Sequence, residues 1–474
     1  MVENARRRAS LQSGAGIARG RGRLSGVKRL LFSLALLLAP SSALAQPLSI
    51  PFTKSKLPNG LTVILHEDHT VPVAVVNVTY EVGSRFEAPG RSGFAHLFEH
   101  LMFMGTARAP TKMFDGWMEG AGGWNNAWTS EDRTDYFDVA PSTALPLLLW
   151  LEADRMKELG PLMTQKKLDA QRDVVKNERR QRSENTPYGV ADLRLPEMLY
   201  PESHPYHHPV IGSHRDLEAA TVDDVKQFFA TYYDPANASL VVAGDFDPKV
   251  VGSSIERLFG QIPSKGKPQD PGAPSFDDTK TTLTSVVRDT IEDRVELSRV
   301  FMAWQSPKRF APGDAELDLL AAVLGDGKAS RLYKALVYEQ KLAQSVEVSQ
   351  NQGTLGSQFT VVVTARPGVA QDKIEAAIDA ELDRVRTGGV KDEELSRAKN
   401  MVDAAFVTRM QSVRERASIL NAYEAAVGDP GFVEKDRARY AQATAKGVTE
   451  YAKKTLLPKA RVVLWIVPKK GGAK

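Results

Sequence analysis

Two histidines and a glutamate, His96, Glu99 and His100, lie within the five residues HLFEH of the apolar stretch 91–106. His96 and His100 are four positions apart, so on an α-helix both imidazoles lie on one face, one turn from each other. Two imidazole nitrogens placed in this way can reach one ion at the ~2.0–2.1 Å that zinc prefers. Glu99 shares that side of the helix and is suited to hold a water and take its proton. The alternative is a histidine pair that belongs only to a buried helix.

A third metal ligand is needed, because a catalytic zinc usually has three protein ligands and one open position. The chain contains no cysteine, so the third ligand must be His, Asp or Glu. In the helical stretch 164–185, positions recurring every three or four residues form one face: Leu168, Gln171, Val175 and Glu178. Glu178 is therefore an acid on a partly apolar face and a candidate ligand. The alternative is one more solvated charge on an exposed helix.

A second histidine cluster lies in a Pro-rich segment: His204, His207, His208 and His214. His207 and His208 are adjacent in sequence, which is unfavourable for chelating one ion together. We therefore do not expect a second metal site in this segment.

Residues 1–45 read as a signal peptide. A basic region precedes the apolar run Leu30–Pro40, and Ala43 and Ala45 occupy the small-residue positions of a cleavage site. The run has 11 residues, fewer than the ~20 needed to span a bilayer, so no membrane span is expected. The chain carries +4 and this leader +7, which leaves −3 for the rest and removes the case for a nucleic-acid partner. Export by a bacterium with an outer membrane would place the protein in the periplasm.

The chain of 474 residues is too long for one ordinary domain, and it has the marks of an internal duplication. The tripeptide APG at 88–90 recurs at 311–313, and Pro235 and Pro458 each precede a strand-like run, so both pairs are 223 positions apart. A Pro/Gly/Lys-rich linker is predicted at 262–280, between an N-terminal domain (46–261) and a C-terminal domain (281–474). At this offset the three HLFEH residues correspond to Leu319, Ala322 and Val323. The second half therefore keeps the apolar helix and lacks the polar residues.

Both halves are predicted to be α+β. In the first half, strand patterns at 60–68, 73–82, 124–139 and 238–244 alternate with helical patterns that include 93–104, 142–158 and 164–185. In the second half, strands are predicted at 297–304 and 356–365. Helices are predicted near 314–324, 328–339, 370–386 and 392–427.

The motifs HLFEHLMFMGT and RDVVKNERR together resemble the pitrilysin/insulinase family of zinc peptidases, whose signature is HxxEH. In that family a zinc-binding glutamate follows in an R-x-V-V-x-x-E context, which here ends at Glu178, 78 residues beyond His100. The segment GGWNNAWTSEDRTDYF (122–137) is similar to the family's N-A-x-T segment. The resemblance extends over residues 46–470, including the half without the motif.

The resemblance implies two homologous domains, each a mainly antiparallel sheet packed with helices, facing each other as a clamshell. It implies one Zn²⁺ per chain, held by His96, His100 and Glu178, with Glu99 as the general base of peptide-bond hydrolysis. Asn126 and Ala127 would lie on an edge strand that pairs with the substrate backbone. Unfolded peptides or precursor proteins are the expected substrates. The alternative is a peptide-binding or assembly subunit that has lost turnover.

Two positions depart from the family pattern. Gln171 stands where relatives often have an acid; an amide can still hydrogen-bond a ligand or its water. Relatives often carry an arginine and a tyrosine seven residues apart in the second half, where this chain has Val337 and Gln344. A partner subunit could supply that pair, so the sequence predicts a heterodimer with a related chain lacking HxxEH, or otherwise a homodimer.

Overall fold

The computed structural model describes residues 49–270 and 282–469. The predicted signal peptide (1–45) and residues 271–280 of the predicted linker lie outside these ranges. The strands are β1 (Thr53–Lys56), β2 (Thr62–Glu67), β3 (Val73–Tyr80), β4 (Trp124–Thr129), β5 (Thr134–Pro141), β6 (Ala238–Gly244), β7 (Val287–Asp293), β8 (Arg299–Ser306), β9 (Ala343–Asn351), β10 (Ser357–Ala365) and β11 (Val462–Pro468). The helices are α1 (Phe94–Leu101), α2 (Met113–Gly120), α3 (Leu145–Glu158), α4 (Gln165–Arg179), α5 (Val190–Leu199), α6 (His214–Ala219), α7 (Val222–Tyr232), α8 (Pro248–Phe259), α9 (Asp314–Gly325), α10 (Gln371–Gly388), α11 (Asp392–Arg409), α12 (Val413–Val427), α13 (Val433–Gln442) and α14 (Ala445–Thr455).

The first half of the chain forms a six-stranded sheet, sheet A, in the order β1-β2-β6-β3-β5-β4. Only the β2–β6 pair is parallel; the other neighbours are antiparallel. The central strands β3 and β6 are valine-rich and buried over almost their whole length, as expected for strands covered on both faces. Strand β4 forms one edge of sheet A.

The second half repeats this arrangement in a five-stranded sheet, sheet B, in the order β7-β11-β8-β10-β9. Its one parallel pair is β7–β11, and β9 forms the edge that corresponds to β4. Helix α7 (222–232) and helix α14 (445–455) match at both ends at the predicted offset of 223, and β5 and β10 begin at 134 and 357. The predicted class, α+β with two similar and mainly antiparallel domains, is confirmed.

Each half supplies a helix that covers the sheet of the other half. Helix α12 packs on sheet A, where Ala417 and Leu420 join a core with Val75 and Val241. Helix α5 packs on sheet B in the same way, with Leu195 and other apolar residues against β8 and β11. Burial of each large apolar side chain contributes ~1.5–3 kcal/mol, so the two halves stabilise one another.

The local differences from the sequence predictions have physical causes. The helix predicted at 392–427 is two helices, because Ser412 accepts a hydrogen bond from the Glu415 N–H and begins α12 as its N-cap. The helix predicted at 164–185 is α-helical to Arg179 and continues as a π-helical turn, Arg180–Glu184. The strand pattern at 124–139 is the hairpin of β4 and β5. Among the described residues, no helix is long and apolar enough to cross a membrane.

Candidate metal centre

Helix α1 carries HLFEH, and a residue outside the helix caps its N-terminus. Glu87 accepts hydrogen bonds from the backbone N–H groups of Gly93, at 2.9 Å, and Ala95, at 2.7 Å. Gly93 has φ 90°, and a Cβ there would lie 2.9 Å from the Cα of Gly212, so only glycine fits at this helix start. Burial raises the pKa of Glu87 well above its usual range, and the N–H donors oppose that shift. The helix is thereby anchored at the end next to His96.

Helices α1 and α4 bring His96, His100 and Glu178 together. The Oε2 atom of Glu178 lies 3.1 Å from Nε2 of His100 and 3.7 Å from Nε2 of His96. All three potential ligand atoms lie within 4.8 Å of one another. Donors about 2 Å from a shared ion are at most about 4 Å apart, so the 3.1 Å and 3.7 Å separations suit a shared ion.

The chemistry of these three donors also fits Zn²⁺. Burial, and then the neighbouring His100, lowers the pKa of His96 to about 4, so its imidazole is neutral near pH 7. A hydrogen bond with His100 lowers the pKa of Glu178, which keeps that carboxylate charged. Two imidazole nitrogens and one carboxylate oxygen are a donor set known for catalytic zinc.

Glu99 lies beside this group and is held by the edge strand. The Thr129 hydroxyl donates a 2.6 Å hydrogen bond to Oε2 of Glu99. Burial raises the pKa of Glu99, while the Thr129 hydroxyl acts in the opposite direction. A partly desolvated carboxylate with one oxygen fixed is suited to receive a proton.

Arg182 completes the surroundings of Glu178. Its Nη1 atom lies 2.6 Å from Oε1 of Glu178, on the opposite carboxylate oxygen from the one that faces the histidines. The π-helical turn after α4 carries Arg182, whose side chain is largely exposed. Arg182 therefore occupies one oxygen of Glu178 and leaves the other for the imidazole side.

Comparison with known proteins identifies the family of this chain. Residues 62–205 match the family model "Insulinase (Peptidase family M16)", and residues 219–402 match "Peptidase M16 inactive domain". The zinc protease PqqE of Helicobacter pylori is 31% identical over 402 residues, covering 84% of this chain and 89% of that protein. The chain belongs to the insulinase family of peptidases, M16.

Solved structures share the fold of this M16 chain. A protease from Helicobacter pylori superposes with a TM-score of 0.82 at 27% identity, covering 89% of this chain and all of that one. The first half of the periplasmic protease PqqL from Escherichia coli has a TM-score of 0.71 at 19% identity, covering 88% of this chain and 92% of that one. The second likeness concerns the fold alone.

The other predicted site residues lie in two different environments. Asn126 and Ala127 lie on the edge strand β4, as predicted, and Asn126 accepts a hydrogen bond from the N–H of Ala127. The amide of Gln171 lies 2.8 Å from the sulfur of Met104; among the described residues it makes no hydrogen bond to the three clustered side chains. The predicted roles of Asn126, Ala127 and Gln171 remain predictions.

The second histidine cluster makes separate contacts. His207 bonds the Tyr200 carbonyl oxygen at 2.8 Å, and His214 bonds Glu184 at 2.8 Å. In the described part of the chain, the one group of three His, Asp or Glu side chains close enough to hold a metal is the α1–α4 cluster.

Val337 and Gln344, which stand in place of the arginine–tyrosine pair, lie on adjacent elements of the second half. Val337 is partly buried against the core of sheet B, in the π-helical segment Tyr333–Glu339. Gln344 is exposed at the beginning of edge strand β9. Val337 has no polar atom in its side chain, so it cannot replace the arginine of the family pair.

Sequence reasoning missed three residues that position the site: Glu87, Thr129 and Arg182. Arg182 is four residues beyond Glu178, so helical spacing could have found it. Thr129 is two residues beyond Ala127 and so shares its face of the strand. Glu87 precedes the helix in an irregular segment, where no periodicity points to it.

Replacing Thr129 by valine is expected to lower kcat for peptide cleavage about ten-fold, because a hydrogen bond to a charged group contributes ~1.5–3 kcal/mol. Zinc content should be unchanged, since Thr129 contacts none of the three clustered donors. Thr129→Ser, which keeps the hydroxyl, should restore most of the rate. Loss of zinc in the valine variant, or no rescue by serine, would contradict a positioning role for the hydroxyl.

Proposed function

We propose that this chain is a zinc-dependent endopeptidase that hydrolyses peptide bonds in unfolded peptides or precursor proteins. The observation that carries the proposal is the convergence of His96, His100 and Glu178 beside Glu99. In the second half, the positions that correspond to His96, Glu99 and His100 are buried apolar residues: Leu319, Ala322 and Val323. The fold therefore does not need these polar side chains, which favours a chemical role for them in the first half.

In this proposal His96, His100 and Glu178 would hold one Zn²⁺. Such an ion lowers the pKa of water and polarises the scissile carbonyl. The Glu99 carboxylate takes the proton of the attacking water and passes it to the leaving amine. Thr129 keeps Glu99 in place throughout, and Arg182 keeps Glu178 oriented.

Extended peptides are the favoured substrates. Strand β4 is an edge of sheet A, so its outward N–H and C=O groups are available to pair with another chain. A peptide added there gains affinity from main-chain hydrogen bonds and must itself be extended. A folded protein seldom offers such a segment.

We also propose export and a partner chain. The basic, apolar and small-residue pattern of residues 1–45 supports export to the periplasm, and the structurally similar PqqL is described as a periplasmic protease. The absence of the arginine–tyrosine pair at Val337 and Gln344 supports a heterodimer with a related chain that lacks HxxEH. A homodimer is the other arrangement.

The test is cleavage of a quenched fluorescent, unstructured peptide by the purified chain at measured zinc occupancy. We expect cleavage at one zinc per chain, and a higher rate when a related chain carrying the arginine–tyrosine pair is added. Full activity alone, unchanged by that addition, would reject the partner. No cleavage under either condition would reject the endopeptidase.

A further inference from the structure

The edge strand β4 has two faces, and only one of them belongs to the metal centre. Thr129 reaches Glu99, so Thr129 and Ala127, two residues apart, face helix α1. The tryptophans Trp124 and Trp128 alternate with them and point to the opposite side of sheet A. A peptide paired along β4 would likewise direct every second side chain to that opposite side.

Hydrogen bonds identify the opposite side as the one covered by α12. Trp128 lies directly across from Asp135 on β5, and residues in such a pair share a face. Asp135 accepts a hydrogen bond from Asn77 at 2.7 Å, and Asn77 accepts one from Asn421 of α12 at 2.8 Å. Trp128 therefore lies on the α12 side, away from the metal ligands.

Aromatic rings and guanidinium groups line this side of β4. The guanidinium of Arg133, in the β4–β5 turn, lies 4.9 Å from the ring centroid of Trp128. Arg414 of α12 lies 5.0 Å from the ring of Phe137, and the ring of Trp124 packs edge-on to Phe137 at 5.5 Å. Trp124 is 49% exposed, so this surface is open at the edge of the sheet.

Arg309 of the second half approaches the same turn. Its backbone N–H bonds the Gly353 carbonyl oxygen at 3.0 Å, and the next residue, Thr354, donates its N–H to Asp132 at 3.0 Å. Burial lowers the pKa of Arg133, the nearby carboxylate of Asp135 opposes that shift, and the positive charge of Arg309 adds to it. The two guanidinium groups are therefore close enough to repel each other.

Neither of these two arginines is paired with a carboxylate at hydrogen-bond distance, although Asp132 and Asp135 lie near Arg133 among the described residues. Among the described residues, the guanidinium groups of Arg133 and Arg309 make no hydrogen bond and no ion pair, and the Nε atom of each is buried without an acceptor. Arg414 differs, because it is paired with Glu415. The cation–π contact with Trp128 leaves the N–H groups of Arg133 unused. Two partly buried guanidinium groups with unused N–H donors are stabilised by an acceptor that joins them.

We propose that Arg133 and Arg309 form a subsite for an acidic side chain, Asp or Glu, of a peptide paired along β4. The inference rests on the proposed function and adds a substrate class to it. A side chain directed away from α1 passes over Trp128 toward Arg133. A carboxylate there accepts two parallel hydrogen bonds from a guanidinium group. A lysine or glutamine at the same peptide position cannot accept such a pair.

The test is a panel of unstructured decapeptides that carry Glu, Gln or Lys at each position in turn. Binding to the zinc-loaded Glu99→Gln variant is measured by fluorescence anisotropy, and kcat/KM is measured with the wild-type chain. At one position we expect Glu to bind about ten-fold more tightly than Gln, and Lys more weakly than both. Arg133→Gln and Arg309→Gln should each bring the Glu-to-Gln ratio toward one.

The matched control is Arg288→Gln, which removes a surface arginine of β7 that is paired with Glu375 of α10 and should leave the ratio unchanged. Thermal melts identify any variant that has not folded. Arg133 and Arg309 lie in different halves of the chain, so if one variant does not fold, the other variant still tests the subsite. A ratio below about two at every position overturns the subsite, as does a preference that persists in both variants. Binding is read without turnover, so absence of cleavage with a retained preference rejects the endopeptidase and not the subsite.

Discussion

Replacing Glu99 by glutamine is expected to lower kcat for peptide cleavage by about a thousand-fold, while the zinc content stays at that of the wild type. General-base catalysis contributes ~10²–10⁴ in rate, and a glutamine amide cannot take the proton that the carboxylate takes. The side chains have the same shape, and the amide oxygen can still accept the Thr129 hydrogen bond. The metal donors are three other residues, so they are left intact.

The measurement combines steady-state cleavage of a quenched peptide with metal analysis of the same sample. The matched control is Glu256→Gln, an exposed acid on α8 that undergoes the same change of charge. It should cleave at the wild-type rate. Equal cleavage by Glu99→Gln and the wild type would remove the role assigned to Glu99. Loss of zinc in that variant would instead make the residue part of the metal site.

The second large effect is expected at Glu178. Replacing Glu178 by glutamine should weaken zinc binding at least a hundred-fold, because it removes the only negative charge of the three-donor group. The amide also loses the ion pair with Arg182. Cleavage should fall in proportion to zinc occupancy and recover in part at high zinc concentration. This pattern is the reverse of the one expected for Glu99→Gln.

Zinc affinity is measured by competition with a chromophoric chelator. Asp173→Asn is the matched control, because Asp173 is an exposed acid on the same helix, α4. This substitution changes the net charge by the same amount as Glu178→Gln. Its zinc affinity should equal that of the wild type. If Glu178→Gln bound zinc as tightly as the wild type, the third ligand would have to be another residue.

The regular geometry of the α-helix explains why part of the site was predictable from sequence. His96 and His100 are one turn apart, and the face that leads to Glu178 follows from residues three and four apart on α4. These spacings are set within one helix and do not depend on the rest of the fold. The resemblance to the insulinase family then linked the two helices.

The break at Ser412 shows the opposite situation. The pattern at 392–427 is helical throughout, and Ser412 with Glu415 three residues later permits a new helix start without requiring one. The break lets α12 leave α11 and cover sheet A, where Leu420 is buried. That apolar surface belongs to the other half of the chain, so the choice depended on contacts hundreds of residues apart.

Sequence alone therefore determined the HxxEH helix, the candidate ligand Glu178, the duplication and the α+β class. Helical and strand periodicities are properties of short segments, and the 223-residue offset is visible by comparing the two halves of the sequence. Only the tertiary structure decided which residues hold those groups in place. Thr129 contacts Glu99 because β4 is the edge strand beside α1. Arg309 lies near Arg133 because each half packs a helix, α5 or α12, on the sheet of the other half. Such contacts depend on the packing of sheets and helices, which residue spacing along the chain does not specify.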